Sequence, residues 1–577
     1  MSESLDPTLS ETWHRAPRVG WRDHLAGALI ALSYIVLLMS TANDIALSRD
    51  ESFYVHAANT YGTWIELYVE NREAALEPAS IQAHWGYNAE HPPLMKTMFA
   101  LSNLAHRKYD LFSSPSLAYR FPAIVMAGLL LWLVLIWGSR AYGRPVGVFG
   151  AVALAVIPRV FYHSHLLCFD IPVVFMLTLV AYCYWRSLTQ PGWALLTGIA
   201  YGLALATKHN AWILPGVLLI HFCFVVLRER AHRRDGGPPR LSMTPYWLFA
   251  MLLLGPPIFI YTWPMLWRDT WPEVWHQFQW YASFHLNHEH YTYEYLGKSY
   301  FEPPFPIAAP FVQTWLSVPL SILLLAFVGI ASRFRTLVPP GLDRWVRTGP
   351  HPDRRSTDVL LIGLLLAPMV AIALPSSPIF GGTKHWMPAY PSLVLFAGIG
   401  LYRVGHTLRD VFERRLGRFR LSTELSGVLA LLLSGILAAA PAVADTVHNH
   451  PHGLSHWGYT AGGTPGAADL GMNRQFWGFT HGPLARWFRE EMPDGGSVWI
   501  CDATAGAWQQ WQDDGHIPSS IRPAYSITAA DYAIIHHEAH FEEVEFQIWT
   551  AYGTVTPATV LTLDGVPLVT VYKNPRR

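Results

Sequence analysis

The chain has 577 residues, 51% of them hydrophobic and only 14% charged, with a formal net charge of zero. Soluble domains carry about 25% charged residues, so a wholly soluble protein is excluded, and the neutral balance supplies no field for nucleic acid. The missing charge is concentrated in apolar runs of about twenty residues, the length that crosses a bilayer core.

Residues 1–24 are polar and carry Arg15, Arg18 and Arg22. The apolar run that follows, Ala26 to Ile45, is longer than a signal-peptide core and has no small-residue cleavage site after it, so it reads as a retained signal-anchor. The arginines place the N-terminus in the cytoplasm. Further spans are predicted at 119–139, 146–162, 169–187, 194–207, 211–227, 245–264, 309–331, 358–375, 386–402 and 425–444, about eleven in all. Alternate connections hold the arginines, among them Arg140, Arg144, Arg228, Arg333 and Arg403, all on the side of the N-terminus. The fold class is a polytopic α-helical membrane protein. Its predicted parts are a cytoplasmic segment 1–24, a transmembrane domain 25–445 with long outer loops 47–118 and 265–308, and an outer C-terminal segment 446–577. Multi-pass insertion in the cytoplasmic membrane is the expected location.

In the first loop, Glu51–Glu73 and Pro92–Arg107 space their apolar residues as helices lying in the interface plane. The loop 265–308 is dense in Trp, Tyr and His, and an aromatic belt accounts for many of these but not for Glu289, Lys298 and Glu302. Beyond Asp445, Val498–Cys501, Tyr532–Ile535 and Thr559–Val571 read as strands, the last a hairpin turning at Asp564-Gly565. Leu484–Glu491 and Ala507–Gln512 read as helices, giving a small α/β domain. Cys168, Cys183, Cys223 and Cys501 match no zinc or redox spacing and read as packed thiols.

Chemistry-bearing residues gather on the outer side. Asp50 and Glu51 follow the first span; a lone carboxylate there is often only a solvated flanking charge, but a positioned one can take the proton of an attacking hydroxyl. Glu90 and His91 sit before Pro92-Pro93, which fixes two φ angles and stiffens the turn. Lys96 either snorkels to headgroups or binds a lipid-linked phosphate. Arg120 is an arginine on the outer side and calls for a partner, for which a phosphate is well suited. Asp170 begins a span after His163 and His165, and Lys208-His209 ends another. Ionisable groups at span ends can be anchors; five clusters on one face favour a shared polar cavity.

Taken together, Asp50-Glu51, His91-Pro92-Pro93-Leu94-Met95-Lys96, Arg120, His165…Asp170-Ile171-Pro172 and Gly198…Gly202…Thr207-Lys208 resemble the protein O-mannosyltransferase family. That family belongs to the GT-C class of membrane glycosyltransferases, which includes the aminoarabinose transferases. Thr383-Lys384-His385-Trp386-Met387-Pro388…Pro391 and Gly458-Tyr459…Gly462-Gly463…Gly466-Ala467…Gly471…Trp477-Gly478 are similar to further segments of these enzymes. The last hundred residues carry no such signal. The resemblance implies sugar transfer from a polyprenyl-phosphate donor to a protein or glycolipid hydroxyl outside the membrane, with inversion at the anomeric carbon. It implies Asp50 as general base, Glu51 as a neighbour positioning the acceptor, and Arg120, Lys96 and Lys208 as ligands of the donor phosphate. Glu90, His91, His165, Asp170, Lys384 and His385 become pocket residues in contact with substrate or metal. Glu90 stands where aminoarabinose transferases carry an acid implicated in metal binding, and His91 follows the mannosyltransferases; no cofactor is required, and a divalent metal stays open.

Two other classes compete. A transporter would place its charges near mid-bilayer in broken, symmetry-related helices, whereas here they sit at span ends. A metal-dependent hydrolase or a metal sensor could use His285, His288, Glu289 and His290 with His448, His450 and His452, although their short spacing and the abundance of His favour a surface or interfacial role.

Overall fold

A computed structural model describes residues 19–234, 241–267, 291–337, 354–415 apart from 378 and 380, 423–475 and 482–577, with 274–276, 279–280, 283 and 477–478 between them. His285, His288, Glu289 and His290, and the arginines at 15, 18, 240, 344 and 347, lie outside the described residues. Helix α1 (Trp21–Thr41) opens with the Asp23 carboxylate accepting from the Gly20 backbone N–H, and leaves Leu25, Leu29, Leu32 and Val36 exposed for lipid. It packs on α4 (Pro115–Ala141) through small residues. A Cβ at Gly27 would stand 2.3 Å from Trp132, and one at Gly128 would stand 2.7 Å from Ile35. Small residues at such crossings let membrane helices approach closely. The helices Leu320–Leu337 and Tyr390–Arg415 use the same device reciprocally: a Cβ at Gly329 would meet the Phe396 carbonyl, and one at Gly400 the Leu325 carbonyl, each at 1.9 Å.

Among the described residues, five segments are long and apolar enough to cross a membrane: Trp21–Asp44, Pro115–Ala141, His209–Arg234, Arg355–Ala373 and Gly427–Asn449. A sixth arises if α5 (Arg144–Ala155) and α6 (Pro158–His165), bent by 69°, count as one span. The sequence gives about eleven apolar runs, so several are shorter or interrupted. Proline causes two of the interruptions, because it lacks the N–H that would continue the helix. The run 146–162 breaks at Pro158, and the run 309–331 breaks before Pro319 into Ala309–Ser317 and Leu320–Leu337. Such breaks are tolerated at membrane depth where protein surrounds the freed backbone; α6 is buried along its whole length.

The first loop forms α2 (Arg49–Glu70), two short helices Arg72–Leu76 and Pro78–Trp85, and α3 (Leu94–Tyr109). Tyr61, Trp64, Trp85, Met95 and Phe99 form its buried interior. The helix α7 (Asp170–Ser187) then starts directly beneath the turn 166–169.

A β-hairpin, β1 (Tyr293–Tyr295) with β2 (Lys298–Tyr300), precedes the C-terminal domain. That domain holds β3 (Gly496–Ile500), β4 (Ile521–Pro523), β5 (Tyr532–His536), β6 (Thr559–Leu563) and β7 (Val566–Lys573), in the order β4-β3-β5-β7-β6. β3 pairs in parallel with β4 and β5, while β7 runs antiparallel to both β5 and β6. The β6–β7 turn is Asp564-Gly565 with φ of 52° and 80°, the left-handed pair that a two-residue hairpin turn requires. The short edge strand β4 and the helix Glu542–Tyr552 have no counterpart in the sequence reading: three residues give no periodicity, and the acidic start Glu-Glu-Val-Glu masks the Val544, Ile548 and Tyr552 stripe that packs inward.

The domain sits on the first loop. Ser52 and Thr504 share a hydroxyl bond of 2.7 Å, Asp514 accepts from the backbone and hydroxyl of Ser116, and Arg49 pairs with Asp502. Arg49 N–H also donates to the Trp477 carbonyl. Gly478 has φ +59°, and a Cβ there would stand 1.9 Å from the Asp502 carbonyl, so this crossing needs glycine.

Candidate active site

Ser48 and Glu51 form a capping box that starts α2, with the Ser48 N–H donating to Glu51 Oε2 at 2.7 Å. The cap puts Asp50 and Glu51 in the first turn, where the helix N-terminus favours anions. Glu51 turns inward and is fully buried. It accepts from Arg120 Nε (2.9 Å) and Nη2 (3.1 Å) and from the Leu167 N–H (2.9 Å). Arg120 gives its remaining N–H groups to the carbonyls of Ala42, Ile45 and Ala46. A guanidinium has five N–H donors, and all five are used. This corrects two expectations: Arg120 keeps no donor for a phosphate, and Glu51 faces no acceptor. The pair ties the end of α1 to α2, α4 and the turn before α7.

Asp50 points the other way. Its side chain is 24% exposed, lies 3.4 Å from Arg49 Nε, and has Oδ2 3.9 Å from Lys384 Nζ. Lys384 rises from the 3₁₀ turn Gly382–His385, and its ammonium lies 3.9 Å from the centre of the Trp477 ring. A second carboxylate–lysine pair faces the same space: Asp170 Oδ1 takes Lys208 Nζ at 2.7 Å. Asp170 Oδ2 meets His163 Nδ1 at 3.3 Å and accepts from the Cys168 thiol at 3.2 Å. Tyr54 and His91 line the space between. Tyr54 packs on Phe169 (4.4 Å) and His91 (5.8 Å), and His91 stands 6.0 Å from His209. Burial holds His91 well below the usual imidazole range, and His209, Lys96, Lys208 and Lys384 push it the same way. His91 is therefore neutral. Burial also lowers Lys384, against the opposing pull of Asp50 and Asp170.

The other expected ligands do not converge here. Lys96 is buried and donates to the carbonyls of Asn88 (2.6 Å) and His91 (2.9 Å) beneath the Tyr61 ring. Burial pushes its ammonium down to about 7. It clasps the Pro92-Pro93 turn and is not placed to hold a phosphate. Glu90 accepts from Asn88 Nδ2 and offers its carbonyl to His209 Nε2 at 2.6 Å. His165 has both ring nitrogens committed, to Thr41 Oγ1 and the Phe161 carbonyl, each at 2.8 Å; it packs α6 and is no pocket residue. His385 is buried beside Lys384. The structure brings together Asp50, Asp170, Lys208, Lys384 and His91, and sets Glu51, Arg120, Lys96 and His165 aside as its supports.

His163, Cys168 and Asp170 bring their donor atoms within 4.8 Å of one another. A metal ion there would have to displace Lys208 from Asp170. It would also have to take the thiol proton, although burial and the Asp170 carboxylate push the Cys168 thiol well above its usual range. The Lys208 ammonium already serves the Asp170 carboxylate, so no step below runs through a metal.

Sequence reasoning gave no role to Tyr54, His163 or Asp502. Asp502 carries no motif; what marks it is its contact with Arg49 and the glycine opposite, visible only once the domains meet.

Residues 90–260 match the family model of the dolichyl-phosphate-mannose-protein mannosyltransferases. The match bears out the resemblance to GT-C membrane glycosyltransferases, from Glu90 through Lys208. Asp50 lies ahead of it, and Lys384 and Trp477 lie beyond it. No curated protein matches the chain. Among solved structures, ArnT from Cupriavidus metallidurans bound to undecaprenyl phosphate is similar at 14% identity and a TM-score of 0.44, over 96% of this chain and 98% of that one. The archaeal oligosaccharyltransferase AglB from Archaeoglobus fulgidus, in complex with an inhibitory peptide and a dolichol-phosphate, is similar at 13% identity and a TM-score of 0.45, over 89% of this chain and 69% of that one.

Proposed function

We propose that the chain is an inverting glycosyltransferase that moves a sugar from a polyprenyl-phosphate donor to a hydroxyl acceptor. In this reading the reaction occurs at the outer face of the cytoplasmic membrane, with the N-terminus inside. The observation that carries the reading is the Asp50–Lys384 pair standing beside the Lys208–Asp170 pair. A sugar phosphodiester needs a base for the attacking hydroxyl and cations for the leaving phosphate, and this cluster supplies both.

Asp50 is the better-placed base, because its carboxylate is partly open whereas Asp170 is buried under Lys208, His163 and Cys168. Lys384 and Lys208 hold the donor phosphate. The acceptor oxygen attacks the anomeric carbon, and the new C–O bond forms as the bond from that carbon to the phosphate oxygen breaks. The electron pair stays on the phosphate, facing the two lysines, and the hydroxyl proton passes to Asp50. Attack opposite the leaving group inverts the anomeric centre. Holding donor and acceptor in one pocket adds the proximity contribution. Glu51 and Arg120 act as a positioning pair that sets the first turn of α2.

A lipid-linked donor suits the surroundings. Apolar side chains, among them Leu177, Ile213, Leu214, Val217, Leu364 and Pro388, line the helices next to the turns that carry Lys208 and Lys384, an apolar flank that suits a polyprenyl tail. The family matched by residues 90–260 is itself named for a dolichyl-phosphate sugar donor.

Purified protein in lipid nanodiscs would be incubated with a panel of polyprenyl-phosphate sugars, following release of free polyprenyl phosphate. Consumption of at least one sugar donor is expected, dependent on Asp50. Consumption of none, or consumption unchanged in Asp50→Asn, would overturn the reading.

A further inference from the structure

A second cavity, of about 240 Å3, lies between the β1–β2 hairpin, the segment 468–474 and the end of β5. Its walls carry Glu294, Lys298, Arg474, His537, Glu538 and Glu542. Glu538 is only 9% exposed; it shares a side-chain hydrogen bond with Asp502, and its Oε1 takes no donor from the described residues. Burial, Asp502 and Glu294 push Glu538 well above the usual carboxylate range. Asp502, its neighbour, is the residue paired with Arg49, which in turn borders Asp50. The cavity is thus joined to the candidate base through a chain of three side chains.

We propose that this cavity is the acceptor subsite and that it binds the hydroxyl-rich face of a glycan. The proposal rests on the glycosyltransferase reading above. Four features favour a glycan over a peptide or a polycation. The wall mixes donors (Lys298, Arg474, Ser299) with acceptors (Glu538, Glu542), as vicinal hydroxyls require. Of the four acids in the lining, Glu538 is shifted toward its neutral form, Glu294 takes the Ala539 N–H and Glu545 the Tyr572 hydroxyl, which leaves Glu542 against Lys298 and Arg474 and no large surplus to draw in ammonium groups. Three backbone N–H groups at the cavity are already taken and closed to an extended peptide: Gly297 bonds Gly471, His537 bonds Leu568, and Ala539 bonds Glu294. Finally, the volume lies just under the roughly 300–1,000 Å3 of drug-sized ligand pockets, and Phe541 adds an aromatic ring to the lining.

The test uses the full-length protein in nanodiscs. Cys223 is the exposed one of the four thiols, so Cys223→Ser gives a quiet background on which Ser299→Cys reports the cavity by its maleimide alkylation rate. The probes are a panel of neutral oligosaccharides, mannotriose among them, and a Ser/Thr-rich peptide of similar mass. At least one oligosaccharide should slow alkylation about tenfold, the scale of one good hydrogen bond to a polar site, and the peptide should not. Glu538→Ala should abolish that protection; Lys298→Ala, at an exposed position, should weaken it even if Glu538→Ala fails to fold. Protection by the peptide, or by no oligosaccharide, would overturn the subsite. Donor consumption in the same samples separates the two claims: lost protection with intact Asp50-dependent consumption removes only the subsite, and intact protection without consumption removes only the transferase reading.

Discussion

Asp50 and Glu51 are adjacent in the chain and point in opposite directions: Glu51 into the buried fork of Arg120, Asp50 toward Lys384 and open space. Neighbouring positions in a helical turn project to different sides, so one capping box presents a structural acid and a candidate chemical one. The buried pair should therefore behave as a support. Removing one partner of such a pair leaves an uncompensated charge and costs about 3–5 kcal/mol. Arg120→Ala should lower the apparent Tm sharply, while the protein that remains folded keeps its donor affinity. Unchanged thermal stability with lost donor binding would return Arg120 to the phosphate site.

Lys384 gives the cleaner test of donor binding, because Lys208→Gln would also leave Asp170 buried without its cation. A hydrogen bond to a charged group contributes about 1.5–3 kcal/mol. Lys384→Gln should weaken polyprenyl-phosphate binding about ten- to a hundredfold, measured by titration in nanodiscs. Affinity within twofold of wild type would remove Lys384 from the phosphate site.

Lys96 makes stability depend on pH. Burial lowers its folded-state value from 10.5 to about 7. Between those values the unfolded chain binds a proton that the folded protein does not, so stability rises as pH increases from about 7 to about 10.5. The advantage of wild type over Lys96→Met in apparent Tm should therefore grow across that window. An advantage that shrinks with pH would mean that Lys96 is charged in the fold.

The lysines also bear on metals. Chelation should leave transfer unchanged, since Lys208 and Lys384 already supply cations to the carboxylates. Lys208→Ala, which releases Asp170, should bind zinc more tightly than wild type at His163, Cys168 and Asp170. Stoichiometric metal in purified wild type, lost together with activity on chelation, would contradict this.

Much of this arrangement is legible in the sequence, and the illegible part has a physical cause. His91, Asp170 and Lys208 stand out in the sequence as ionisable residues beside apolar runs, and the fold brings them close to one another. The helices α2 and α3 and the Asp564-Gly565 hairpin follow from periodicity and turn chemistry. What sequence cannot separate is a buried charge that is satisfied from one that is available. Arg120 and Lys96 look like phosphate ligands because the loop charges assign these cations to the outer side, yet backbone carbonyls brought in by the fold take up their donors. Glu538 and Asp502 sit in a stretch without periodicity or motif, and matter only because the domain docks on Arg49. The interrupted spans escape for a similar reason: hydropathy averages across Pro158 and Pro319, although the helix does not continue through them.

Single-turnover transfer by Asp50→Asn tests the central claim most directly. The substitution keeps size and hydrogen bonding but cannot accept the hydroxyl proton. With donor affinity measured alongside, turnover from the polyprenyl-phosphate sugar should fall by about 10²–10⁴, the usual contribution of general base catalysis, while donor binding persists. Glu51→Gln should instead lose stability. Normal turnover in Asp50→Asn, with donor bound as in wild type, would contradict the account.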